Sequence, residues 1–137
     1  MAKVYNLFFS HSWSYGDQYD RLKALLSMRG YFPFKDYSVP RDDPIHNAPN
    51  SQALYDAIKG QIRPCHVVII MAGVYATYSS WIQKEIRIAK HEFSAPKPII
   101  AIRPWGNERI STVVQAAADE IVGWNTESVV NAIRRLA

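Results

Sequence analysis

The sequence predicts an α/β fold: a five-stranded parallel sheet in the order 2-1-3-4-5, with helices on both faces. Two patterns carry this expectation. Strand-like and helix-like segments alternate along the whole chain. The two most apolar runs, residues 66–71 and 98–103, are continuous rather than alternating, as expected of strands covered on both faces. A chain of 137 residues, 48% hydrophobic and 20% charged, suits one ordinary globular domain spanning residues 1–137.

The first element is a β-rich run over residues 4–9, read as a central strand. Ser14 and Asp17 have capping-box spacing, so a helix is expected from about Tyr15. Its apolar face is Tyr19, Leu22, Leu25, Leu26 and Met28, with Gly30 placed as a C-cap. Residues 31–37 read as a second strand, put at an edge by Pro33. Residues 38–50 form a loop with Pro40, Pro44, Pro49 and the cluster Arg41-Asp42-Asp43, long enough to suggest a use. Residues 51–62 read as a helix facing inward with Leu54, Ala57, Ile58 and Ile62. The strand at 66–71 follows.

The next helix opens at Ser80, a capping residue with Gln83 in the reciprocal position. Its expected core face is Ile82, Ile86, Ala89 and Phe93. A second stripe holds Tyr78, Trp81, Glu85 and Ile88. Glu85 is the one carboxylate on that stripe, a turn after Trp81, and partial burial there would favour its protonated form and strengthen its contacts. A Glu at a helix flank is more ordinarily a solvated ion-pair partner. After the strand at 98–103 come a turn at 104–107, a short helix over 110–118 and a weak edge strand over 120–123. Asn125 then caps a last helix bearing Val129, Val130, Ile133 and Leu136.

With five strands the pattern is flavodoxin-like, and such sheets bind ligands at the carboxyl ends of their strands where the order reverses. Here that is between the first and third strands. Residues 10–15 and 72–81 meet there, with Glu85 just beyond, so the fold itself draws attention to Glu85.

Composition excludes several classes. Cys65 is the single cysteine, so no disulfide forms within the chain, as suits a cytoplasmic protein. No apolar run is long enough to span a membrane, and residues 1–9 are too short and too quickly polar for a signal peptide. Net charge is +4, from sixteen Lys and Arg that form no block, so nucleic acid is not the expected partner, although an anionic nucleotide suits the charge. His11, His46, His66 and His91 share no metal-ligand spacing. Ser10 and His11 are neighbours in an extended segment and point to opposite sides, which disfavours a nucleophile pair. No G-x-S-x-G, G-x-G-x-x-G or Walker sequence occurs. Ser10, Ser12 and Ser14 precede a helix N-terminus that would attract phosphate, or simply cap it. The third strand ends in Met71-Ala72-Gly73, without the aspartate that a phosphoacceptor needs. The aromatics Phe9, Trp13, Tyr37, Tyr78, Trp81 and Trp105 gather at strand ends, mostly for packing, with some able to stack on a base.

Three stretches carry a family resemblance: Leu7-Phe8-Phe9-Ser10-His11-Ser12, Phe34-Lys35-Asp36-Tyr37-Ser38, and the third strand through Ser80-Trp81-Ile82-Gln83-Lys84-Glu85-Ile86. The chain resembles a Toll/interleukin-1 receptor (TIR) domain, and more closely the bacterial TIR-like proteins of the Thoeris antiphage system. The most specific feature is the Trp four residues before Glu in the helix after the third strand. The resemblance implies an enzyme of the NAD⁺ glycohydrolase or ADP-ribosyl cyclase type, with Glu85 catalytic. Phe9, Ser10, His11, Asp36 and Tyr37 would line the nucleotide pocket, and Trp81 would stand beside the glutamate. NAD⁺ is then the substrate, with no cofactor or metal. The product is expected to be an ADP-ribose-derived signal nucleotide, cyclised or not, that activates a separate effector protein. The active form is expected to be a homo-oligomer. The loop 38–50 does not align, so Arg41 and Asp43 receive no roles. The alternative is a non-catalytic TIR module that only binds other proteins.

Overall fold

A computed structural model describes residues 4–10, 16–37, 51–72, 80–103 and 111–137, the side chains of residues 16–19, 51, 80 and 81 excepted. The elements alternate: β1 (Tyr5–Phe9), α1 (Gly16–Met28), β2 (Phe34–Asp36), α2 (Ser51–Ile62), β3 (Val67–Met71), α3 (Ser80–His91), β4 (Ile99–Ile102), α4 (Thr112–Ala117), β5 (Glu120–Val122) and α5 (Thr126–Leu136). The five strands form one sheet in the order β2-β1-β3-β4-β5, and every pairing is parallel. The architecture is the flavodoxin-like α/β one that the alternation predicts.

Successive strand residues point to opposite faces, which divides the core in two. Leu7, Phe9, Val67, Ile69, Met71, Ile100 and Ile102 pack with α1 and α5 through Leu22, Leu26, Val129, Val130 and Ile133. Phe8, Val68, Ile70, Ala72, Ile99 and Ala101 pack with α2, α3 and α4 through Ile58, Ile62, Ile82, Ile88, Ala89 and Val114. β3 and β4 are buried at every residue, which is why their sequences do not alternate. Each fully enclosed Ile, Val or Phe contributes roughly 1.5–3 kcal/mol through water released from its surface.

Polar groups fix the ends of the elements. Asn125 accepts the N–H of Ser128 at 3.0 Å and caps α5. Asp119 accepts Lys90 Nζ at 2.6 Å and the N–H of Ile99 at 2.8 Å, tying the end of α3 to the start of β4. Asn6 and His66 join β1 to the approach to β3. The Asn6 N–H donates to His66 Nδ1 at 2.9 Å and the His66 N–H donates to Asn6 O at 2.8 Å.

Three sequence expectations need correction. Leu25 and Met28 do not join the face of α1 that enters the core; Leu22 and Leu26 are buried, while Leu25 and Met28 are 40% and 83% exposed. At about 100° per residue Leu25 lies roughly 60–100° and Met28 roughly 120–160° from Leu22 and Leu26, and among the described residues neither is covered. Residues 31–33 are not strand: β2 begins at Phe34, and Tyr31 occupies the left-handed region with φ 62°, the conformation expected of Gly30. On α3 the enclosed residues are Ile82, Glu85, Ile88 and Ala89, whereas Ile86 and Phe93 are half-buried. The two described side chains of the second stripe, Glu85 and Ile88, therefore both face inward, because α3 is covered by α2 as well as by the sheet.

Gly60 lies inside α2, where an added Cβ would meet no atom within 4 Å. Gly60→Ala is expected to stabilise the fold by about 1 kcal/mol through helix propensity. Thermal denaturation followed by circular dichroism checks it, with an expected rise of roughly 2–6 °C.

Candidate functional site

The carboxyl ends of β1 and β3 are locked side by side. Phe9 pairs with Ile69 in register, and the N–H of Ser10 donates to Ile69 O at 2.7 Å. On the other side of β1, the N–H of Tyr37 donates to Leu7 O at 2.9 Å. β3 continues to Ala72, whose N–H donates to Ile102 O at 2.8 Å, while Ala72 O accepts the N–H of Ser111 at 2.7 Å. The sheet order reverses between β1 and β3, so backbone hydrogen bonds place the ends of four segments around a switch point.

Among the described residues, three polar or charged side chains are buried: Ser10, Glu85 and Ser111. A fully enclosed Glu is uncommon in globular proteins. Glu85 is 0% exposed, on the second turn of α3, between the equally enclosed Ile82 and Ile88. Ser10 is also 0% exposed, and its Oγ has no hydrogen-bond partner among the described residues. A buried hydroxyl of this kind calls for an explanation, and a bound ligand is one. By strand alternation from Phe8, Ser10 belongs to the face covered by α2, α3 and α4, which is the face of Glu85.

The other expected site residues divide between the two faces. Tyr37 is half-buried and packs against the cluster that contains Phe8 and Ile70, on the face covered by α3. Phe9 is enclosed by α1 and α5 on the opposite side. Asp36 is partly exposed and holds Lys23 Nζ of α1 at 3.0 Å, again on the opposite side. Ser10 and Tyr37 thus share the sheet face covered by α3, whereas the side chains of Phe9 and Asp36 lie on the opposite face. His11 lies outside the described residues. So do the loop 38–50 and the side chain of Trp81, although the Trp81 backbone is the second residue of α3.

Ser111 is the polar residue that the sequence reading missed. Its Oγ accepts the N–H of Val114 at 3.3 Å and caps α4, while its own N–H reaches the end of β3. A Ser directly before the helix at Thr112 was the available signal.

Among the described residues, thiol and metal chemistry are not assembled. Burial pushes the Cys65 thiol up to about 12, so it stays protonated at neutral pH and supplies no nucleophilic thiolate. Among the described residues no three His, Cys, Asp or Glu side chains are grouped to hold a metal. No helix there is long and apolar enough to cross a membrane. At the α2–α3 contact, burial and the Glu92 carboxylate raise the pKa of Tyr55, and Lys59 Nζ stands 3.9 Å from Glu92. That couple lies two turns from Glu85 along α3.

No curated protein compared with the sequence matches it. Residues 8–109 match the family described as Thoeris protein ThsB, TIR-like domain. That span runs from β1 past β4 and includes Ser10, Tyr37 and Glu85. The chain belongs to this family.

Proposed function

We propose that this member of the Thoeris ThsB TIR-like family is an NAD⁺-cleaving enzyme of antiphage defence, with Glu85 as its catalytic residue. The observation that supports the reading is a carboxyl group fully enclosed on α3, the helix that follows β3, on the sheet face to which Ser10 belongs. Membership of a TIR-like family is consistent with NAD⁺ as the substrate.

The chemistry asks for little more than one carboxylate. In NAD⁺ the nicotinamide ring already carries positive charge. The bond from ribose C1′ to the ring nitrogen breaks with its electron pair going to that nitrogen, and nicotinamide leaves neutral without a proton donor. The charge left behind is an oxocarbenium ion on the ribose, as in glycoside cleavage. The Glu85 carboxylate accepts hydrogen bonds from the ribose hydroxyls and faces the cation, an interaction that strengthens as the bond breaks. Ser10 Oγ is available to bind the nucleotide, with Tyr37 on the same side. A nucleophile then attacks C1′: water gives ADP-ribose and a proton, an atom of the same molecule gives a cyclic nucleotide, and a second small molecule gives a conjugate. The product serves as a signal that activates a separate effector.

Incubation of the concentrated protein with NAD⁺, followed by quantification of free nicotinamide, tests the reading. Release of nicotinamide at a rate proportional to enzyme is expected. Its absence from dilute and concentrated protein alike would favour a module that only binds other proteins.

A further inference from the structure

Of the two histidines among the described residues, His91 at the end of α3 is exposed, whereas His66 is half-buried just before β3. The His66 ring takes the place of a peptide carbonyl. The N–H and C=O of Asn6 both turn toward the β3 side. The C=O accepts the His66 N–H at 2.8 Å, and the N–H donates to His66 Nδ1 at 2.9 Å. In a parallel ladder that second bond would ordinarily end on a carbonyl of the neighbouring strand. Here the imidazole supplies the acceptor, one rung before the pairing of Leu7 with Val67.

The ring is placed by its surroundings. Asn6 Nδ2 donates to Pro64 O at 2.9 Å, which holds the chain before His66 against β1. The Tyr5 ring stands edge-on to the imidazole, 6.2 Å between centroids. This geometry admits one protonation state at Nδ1. A backbone N–H donates only to a bare ring nitrogen, so the neutral imidazole carries its hydrogen on Nε2. A proton added to Nδ1 would set two donors against each other and strip the half-buried Asn6 N–H of its acceptor. The ionisable groups on the segments about the ring are Tyr5 of β1, Lys35 and Asp36 of β2, Arg63 and Cys65 before β3, and Lys97 before β4. Lys23 holds Asp36 at 3.0 Å. The others are cationic or neutral and oppose a further positive charge.

We propose that His66 is a pH-sensitive clasp between β1 and β3, which holds while the imidazole is neutral and releases the Asn6 N–H when Nδ1 takes up a proton. In the unfolded chain the ring titrates near the ordinary value of about 6.5, while the folded chain resists the proton. The stability that the clasp contributes is therefore whole above that pH and is lost as the pH falls below it. One pH unit below, the loss amounts to about tenfold in the folding equilibrium constant. The clasp lies at the amino ends of β1 and β3, opposite the end that carries Ser10. The inference is therefore independent of any activity toward NAD⁺.

Urea denaturation of wild type and His66→Asn tests it, at about pH 7.5 and about pH 5.5, on either side of the ordinary imidazole value. The Asn side-chain oxygen stands where Nδ1 stood, so it accepts the same N–H and does not titrate. Every other histidine and carboxylate is common to the two proteins. Between the two pH values the folding equilibrium constant of wild type is expected to fall about tenfold more than that of the variant. Nitrogen NMR of the wild-type imidazole gives an independent reading. Nδ1 should be bare at the higher pH, and His66 should gain its second proton only well below about pH 6.5. An equal fall in both proteins, a proton on Nδ1 at the higher pH, or titration of folded His66 at or above about 6.5 would overturn the proposal.

Discussion

Glu85→Gln is expected to lower the rate of nicotinamide release from NAD⁺ by ~10²–10³-fold, with little change in KM. Gln keeps the shape of the side chain and an oxygen that accepts hydrogen bonds from ribose hydroxyls. It loses the negative charge that would face the oxocarbenium ion, an interaction made chiefly in the transition state. The fold should not suffer. Glu85 is fully enclosed, and an amide of the same size is cheaper to take out of water than a carboxylate. A melting temperature equal to or above that of wild type, measured on the same sample as the rate, separates lost chemistry from lost structure.

The largest effect on stability is expected at Phe8. Its ring is 0% exposed, in a central strand paired on both sides, against Ile58, Ile62 and Ile82. Phe8→Ala leaves a cavity that the paired backbone cannot close by moving, and should cost ~3–5 kcal/mol. A domain of this size has roughly 5–15 kcal/mol in all, so the loss is a large share of its stability. Urea denaturation at constant m-value measures it. Because Phe8 lies on the same face as Ser10 and α3, weakened NAD⁺ turnover should accompany the lost stability, unlike Glu85→Gln, where turnover falls alone.

The sheet was readable because burial on two faces leaves a plain mark. Residues 67–71 and 99–102 are apolar throughout, and no alternating or helical pattern competes for them. Strand order followed from alternation with helices, which permits few topologies. Glu85 drew attention because it interrupts an apolar stripe on the helix after the third strand, and in the structure it is fully enclosed.

What the sequence hid was which side each residue takes. Phe9 and Ser10 are adjacent, and pleating alone requires that one of them face away from α3; the family motif treats them as one unit. Asp36 gives no hint in sequence that it turns to Lys23. The apolar Leu25 and Met28 read as core because periodicity reports a face without reporting whether another element covers it. Tyr31 is left-handed where glycine would be expected, since Arg29 and Arg134, the latter 103 positions away in the chain, fix the turn. Long-range contacts of that kind leave no local signal.

The most direct measurement is mass spectrometry of the small molecules formed from NAD⁺ by concentrated wild-type and Glu85→Gln proteins side by side. Wild type should yield free nicotinamide in step with NAD⁺ consumed, together with one ADP-ribose-derived nucleotide, and the folded Gln protein should leave NAD⁺ intact. The same products at the same rate from both proteins would contradict the assignment of the chemistry to Glu85.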